Sequence, residues 1–265
     1  MERYVLRGGR FGYERLKLLA RLHRADTAEL FSLAGVGPGM RCVDLGCGGG
    51  EVTFDLARLV EPEGSVSGVD MDEDKLALAR QDIPGQGVTN VEFMAADVTT
   101  WDEPDSYDFV YCRTLLQHLS DPVRLLRRMW AAVRAGGTIA VEDADFDGLF
   151  CDPDSSGFAF YAAMYPRVCA LNGGDPVVGR KLYRYFGEAG IPAPELRMNQ
   201  VLGTDADIKE LAVSTLEGSA DAITGAGLAT PDEVAAAMAD LSAFAGRPET
   251  VVGDPRMFQV WAVRS

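Results

Sequence analysis

Between residues 38 and 143 short apolar runs alternate with amphipathic stretches of helical length, and this alternation restricts the fold more than any other feature of the chain. The runs are RCVDLG, SVSGVD, VEFMAAD, YDFVYCRT and GTIAVED; EVTFDLARLV, DEDKLALAR and PVRLLRRMWAAVR lie between them. A short apolar run bounded by turn residues suits a strand buried on both faces, and the longer stretches carry apolar residues at helical spacing. Repeated strand–helix units predict an α/β protein with a mostly parallel sheet and helices on both of its faces.

The flanks read differently. ERLKLLARLHRADTAELFSLA (14–34) predicts one or two amphipathic helices, with Asp26 or Thr27 capping the second, and GVGPG (35–39) stops the segment. Beyond Asp143 the strand–helix rhythm breaks. Residues 157–170 and 179–190 are expected to be helical, ELRMNQVLG (195–203) a strand, 206–245 an interrupted Ala-rich helical region, and MFQVWAVR a closing strand. The two late strands would form an antiparallel pair at the sheet edge. The expected organisation is an N-terminal helical lid (1–37), an α/β core (38–143) and helical cap insertions with two closing strands (144–265).

Composition narrows the partners. The 265 residues carry 25 Lys+Arg against 40 Asp+Glu, a formal net charge of −15, and no basic run interrupts that surface. Such a chain repels phosphate backbones and anionic membrane surfaces, so neither nucleic acid nor membrane is expected as a partner. The five cysteines form no CxxC pair, which suits free thiols in a reducing compartment, and no metal site is expected. No apolar run is long enough to span a bilayer and no secretory h-region opens the chain, so the expectation is a cytoplasmic monomer or homodimer.

The densest constellation is VDLGCGGGEVT (43–53): a buried strand, Asp44, glycines at 46, 48 and 50, then a helix. Glycines let the backbone turn sharply and let a ligand approach closely, and the helix start adds amide donors. A dinucleotide site would place its third glycine at position 51, where Glu51 stands and would repel a pyrophosphate. The second predicted strand ends in Asp70, suited to a ribose diol. The third leads to Asp97, suited to an adenine amino group, with Met71 and Val98 placed to sandwich the ring. Three carboxylates at successive strand ends favour an adenosine that carries positive charge.

On these residues the segment 38–143 resembles the core of class I S-adenosylmethionine-dependent methyltransferases of the small-molecule, ubiquinone/menaquinone-biosynthesis-like type. The match is carried by Asp44-Leu45-Gly46-Cys47-Gly48-Gly49-Gly50, then Asp70 and Asp97, then RTLLQHLSDP and AVRAGGTIAVED. The resemblance implies a Rossmann-like, seven-stranded sheet whose last strand is antiparallel, with S-adenosylmethionine as cofactor. It places Gly46, Cys47 and Gly48 under the methionine portion, Asp70 on the ribose, Asp97 with Met71 and Val98 around the adenine, and the Arg113 backbone on the donor.

The expected reaction transfers a methyl group to a small, apolar or aromatic metabolite through O, N or C, in bacterial secondary metabolism. A repurposed, non-catalytic donor binder and a dinucleotide-dependent oxidoreductase are the alternatives. His118, after the fourth strand, is the candidate general base, an ordinary imidazole near pKa 6.5. Gln117, Asp143 and Tyr13 are the candidate acceptor contacts, and Tyr4 and Tyr13 flank a glycine hinge (LRGGRFG) that would let a lid move. DADFDG (143–148) opens like a calcium loop but follows a strand, so a solvated loop is preferred. His23, on the N-terminal helix, reads as a packed or surface residue.

Overall fold

The computed structural model describes residues 5–265, so Tyr4 lies outside the described residues. The chain runs α1 (Gly9–Leu33), β1 (Arg41–Leu45), α2 (Glu51–Val60), β2 (Ser65–Asp70), α3 (Glu73–Gln86), β3 (Val91–Ala95), β4 (Tyr107–Arg113), α4 (Pro122–Ala132) and β5 (Val133–Asp145). Then follow β6 (Phe150–Asp152), α5 (Ser156–Leu171), α6 (Leu182–Ala189), β7 (Glu195–Asn199), β8 (Leu202–Gly203), α7 (Ala206–Gly225), α8 (Pro231–Ala245), β9 (Val251–Gly253) and β10 (Arg256–Val263).

Seven strands form one sheet in the order β3-β2-β1-β4-β5-β10-β7. The β1–β2, β1–β4, β2–β3 and β4–β5 pairs are parallel, whereas β10 is antiparallel to both β5 and β7. This is the expected mostly parallel sheet with an antiparallel last strand. Side chains alternate across it with the period of two that a strand imposes. Val43, Leu45, Val110 and Ile139 pack with Leu126, Met129 and Phe186 on one face. Cys42, Val66, Phe109 and Ala140 pack with Phe31, Leu56 and Val60 on the other.

The cap has an apolar core of its own. Phe158, Tyr161, Tyr165, Leu216, Leu241 and Phe244 from α5, α7 and α8 pack together, with Val5 and Leu6 joining them. Three short strands, ordered β6-β9-β8, form a second small sheet that the sequence pattern did not suggest, because two or three residues carry no periodicity. The N-terminal region is one continuous helix. Neither Asp26 nor Thr27 caps a second one: Thr27 is buried, and its hydroxyl accepts a hydrogen bond from Arg113 Nη1 at 3.1 Å.

Candidate active site

The glycine loop is held by the strand beside it. After β1 the amides of Gly46 and Cys47 both donate to the Val69 carbonyl, at 2.7 and 3.1 Å. The Gly48 amide donates to Asp70 Oδ2 at 2.8 Å, and the Asp72 amide donates to Asp70 Oδ1 at 2.9 Å. Asp70 therefore pins the loop as well as facing the cleft. Gly46, Gly48 and Gly50 all have positive φ, but they serve different ends. Gly46 and Gly48 line the cleft, whereas Gly50 caps α2 with φ +80°, and a Cβ there would sit 2.5 Å from the Phe93 ring.

The cleft at the carboxyl ends of the parallel strands has a volume of about 730 Å³. Every residue expected on the donor side lines it: Asp44, Gly46, Cys47, Gly48, Asp70, Met71, Asp97, Val98 and Arg113. Asp97 is exposed, and the Thr99 hydroxyl and amide bonded to its carboxylate, at 2.7 and 2.8 Å, hold it below the usual carboxylate range. Asp44 is buried, and desolvation pushes its carboxyl up to about 7 despite the Thr53 hydroxyl bonded to it. An ammonium or sulfonium beside Asp44 would favour the ionised form. The volume, the three carboxylates and the apolar Met71, Val98, Leu119 and Leu125 on its walls fit an adenosyl group that carries positive charge. Glu51 stands at the start of α2 on the same wall, half-buried and raised by that burial, where a pyrophosphate would need bare amides.

The lid contributes residues that sequence reasoning did not single out. Leu16, Leu19 and Ala20 of α1 line the cleft, and a Cβ on Gly48 would lie 2.8 Å from Leu16 Cδ1. The glycine loop thus leaves room for α1 as well as for a ligand. Helical spacing marks this face as buried, but only the folded chain reveals that it is buried against the loop.

A smaller chamber of about 40 Å³ adjoins the cleft and shares Leu19, Thr114 and His118 with it. Thr114 has φ +49°, a strained conformation for a β-branched residue, stored where the two cavities meet. Gln117, expected as an acceptor contact, is buried and lines the chamber. His118 lines both cavities, but desolvation in that wall, with Arg15 and Lys75 facing it, pushes its imidazole down to about 4. The near-neutral pKa expected from sequence does not hold for this residue, because burial penalises the cation.

Two expected acceptor contacts lie elsewhere. Tyr13 is buried outside both cavities; its ring lies over Gly49 and its hydroxyl donates to Asp82 Oδ2 at 2.6 Å, tying α1 to α3. Asp143 is fully buried and faces the protein backbone. Its Oδ2 accepts from the Leu116 and Gln117 amides at 2.8 and 3.3 Å, and its Oδ1 accepts from the Ala144 amide at 2.9 Å. Two other acids at the end of β5 are also engaged: Asp145 pairs with Arg180 and Arg256, and Glu142 with Tyr111 and Gln259. His23 is 1% exposed, and its Nε2 lies 2.9 Å from Asp254 Oδ2.

Residues 37–189 match a family model described as a methyltransferase domain. The chain belongs to that family, and its sheet order and cleft are those expected of the class I S-adenosylmethionine-dependent methyltransferases. It is 36% identical over 104 residues to a ubiquinone biosynthesis O-methyltransferase of Aeromonas salmonicida, covering 39% of this chain and 42% of the relative. It is 26% identical over 200 residues to a ubiquinone/menaquinone biosynthesis C-methyltransferase of Yersinia enterocolitica, covering 74% and 77%. Of the first two relatives matched, the chain spans under half the length, 45% and 42%. A Bacillus halodurans protein of known structure aligns with a TM-score of 0.61 at 18% identity, covering 90% of this chain and 98% of that one, a likeness of fold. No helix among the described residues is long and apolar enough to cross a membrane.

Proposed function

We propose that this chain transfers the methyl group of S-adenosylmethionine to a small apolar or aromatic metabolite. The observation that carries the reading is the convergence of all nine expected donor-side residues on one cleft, with carboxylates from three successive strand ends. Asp70 would accept from the ribose hydroxyls, Asp97 with Met71 and Val98 would hold the adenine, and Asp44 would face the amino-acid end above the glycine loop. The donor supplies an activated methyl on a positive sulfur. The chain's own contribution is to orient that methyl, exclude water and receive any proton the acceptor loses.

The reading extends to a bacterial, cytoplasmic enzyme of secondary metabolism acting as a monomer or homodimer, and the charge of −15 supports a small-molecule partner over nucleic acid. One matched relative is named for O-methylation and another for C-methylation, so likeness to them favours neither acceptor atom.

Calorimetry with S-adenosylhomocysteine tests the donor half. Asp70→Ala should weaken binding about tenfold or more, since a hydrogen bond to a charged group contributes about 1.5–3 kcal/mol. Absence of heat with the wild-type protein would overturn the reading. Incubation with the donor and co-purified metabolites, followed by mass spectrometry, tests transfer. Binding without any methylated product would leave a donor-binding protein in place of an enzyme.

A further inference from the structure

The small chamber has an inner wall beyond the residues it shares with the cleft. Arg15 and His23 face it from α1, His118 from the turn after β4, Tyr161 and Tyr165 from α5, and Asp254 from the segment before β10; Leu211 and Thr215 of α7 add no charge. His23 Nε2 and Asp254 Oδ2 are 2.9 Å apart, and the imidazole is sealed from bulk water. With the carboxylate ionised and the ring neutral, Nε2 donates to Asp254 and Nδ1 presents a lone pair. That Nδ1 is buried and has no hydrogen-bond partner among the described residues.

A nitrogen lone pair buried without a protein partner is costly, and it persists where a ligand or an ordered water completes it. The rings of Phe146, Tyr161 and Tyr165 give the same chamber an aromatic lining. Its 40 Å³ exceeds the space one water needs but is too small for a whole metabolite, so it accommodates the reacting end of one.

Resting on the methyl-transfer reading, we propose that the chamber receives the hydroxyl end of a phenolic or enolic acceptor, and that His23, positioned by Asp254, takes its proton. The acceptor oxygen forms its bond to the incoming methyl as the O–H proton passes to Nδ1, and the electron pair of the broken carbon–sulfur bond stays on sulfur. The Asp254 carboxylate faces the imidazolium so formed, which gives up its proton to the water that replaces the departing product. His23 is the catalytic residue of this step and Asp254 a positioning residue. The assignment departs from the sequence reading, which put the base at His118.

The test uses 4-nitrophenol, whose phenolate is yellow, with S-adenosylhomocysteine bound, at a pH below the pKa of the free phenol. Wild-type protein should bind the probe as phenolate, and both His23→Gln and Asp254→Asn should bind it colourless. His23→Gln keeps an N–H for Asp254 but lacks the basic lone pair. NMR of the ring nitrogens should report the Nε2–H tautomer in the wild type and its loss in Asp254→Asn. With a phenol acceptor, His23→Gln should lower kcat by roughly 10²-fold or more and leave KM for the donor unchanged. A colourless complex with the wild type, or equal yellow with His23→Gln, overturns the assignment even where S-adenosylhomocysteine gives heat and the donor reading stands. No heat with S-adenosylhomocysteine removes the donor reading, and this assignment falls with it.

Discussion

Thr53, in the first turn of α2, donates its hydroxyl hydrogen to Asp44 Oδ2 at 2.7 Å, and this bond fixes the one fully buried carboxylate of the donor cleft. Burial outweighs the bond and pushes Asp44 up to about 7. A cationic amino group bound beside it must therefore draw off a proton below that pH. The affinity for S-adenosylhomocysteine should rise with pH through about 7 in the wild type. Asp44→Asn should bind more weakly at alkaline pH, about tenfold or more, with a flat profile. Calorimetry across that range reads both effects.

Asp143 organises the turn after β4 through the Leu116 and Gln117 amides and also accepts from the Ala144 amide beside it, and burial raises its carboxyl to about 7 as well. A folded-state pKa above the unfolded value means the native state binds more protons between about pH 4 and about pH 7. The stability contributed is complete below the unfolded pKa and is lost as pH rises through the folded one. Asp143→Asn turns an acceptor into a donor facing amides, at a cost of about 1–3 kcal/mol. Denaturant melts at both ends of the window should show a lower midpoint for the variant and a shallower loss of stability with rising pH.

Gly50 has φ +80°, and a Cβ there would meet the Phe93 ring at 2.5 Å. Left-handed backbone costs roughly 1–2 kcal/mol for a residue with a Cβ, and forced overpacking costs about 1–3 kcal/mol more. Gly50→Ala should therefore destabilise the fold by about 2–5 kcal/mol in chemical denaturation. Adding Phe93→Leu should restore the packing part of that loss but not the backbone part.

His118 is held neutral by its surroundings, with its imidazole pushed down to about 4. Its ring resonances should stay unshifted between about pH 5 and about pH 8, where an ordinary histidine titrates. The sign for stability is opposite to that of Asp143. The unfolded chain binds the extra proton, so this contribution grows as pH rises from about 4 toward 6.5. His118→Asn should leave any rate limb near neutrality in place, as followed by a pH–rate profile.

The donor half was legible because its parts are local: a strand, a loop and a helix start recur three times, and each strand end delivers its carboxylate within a few residues. Asp44, Asp70 and Asp97 all reach one cleft for that reason. The proposed proton-accepting pair was not legible. His23 and Asp254 are 231 positions apart and meet only because β10 inserts between β5 and β7. Asp143 was expected at the substrate from its place at a strand end, but strand alternation says only which face a residue takes. The backbone turn beneath that face claimed its carboxylate. Tyr13 was misplaced for a similar reason: its ring covers Gly49, a contact between a helix and a loop that no local spacing encodes.

The insertion of β10 also governs how the molecule must be made. β5 is buried along most of its length, yet on one side its only partner is β10, which follows the entire cap in sequence. While a ribosome is still emitting α5 to α8, the nascent chain carries a long apolar strand with an open flank, the kind of edge that recruits strangers. Interruptions to synthesis within the cap should therefore yield aggregates, and a chaperone that shields β5 until β10 arrives would raise the yield of native protein.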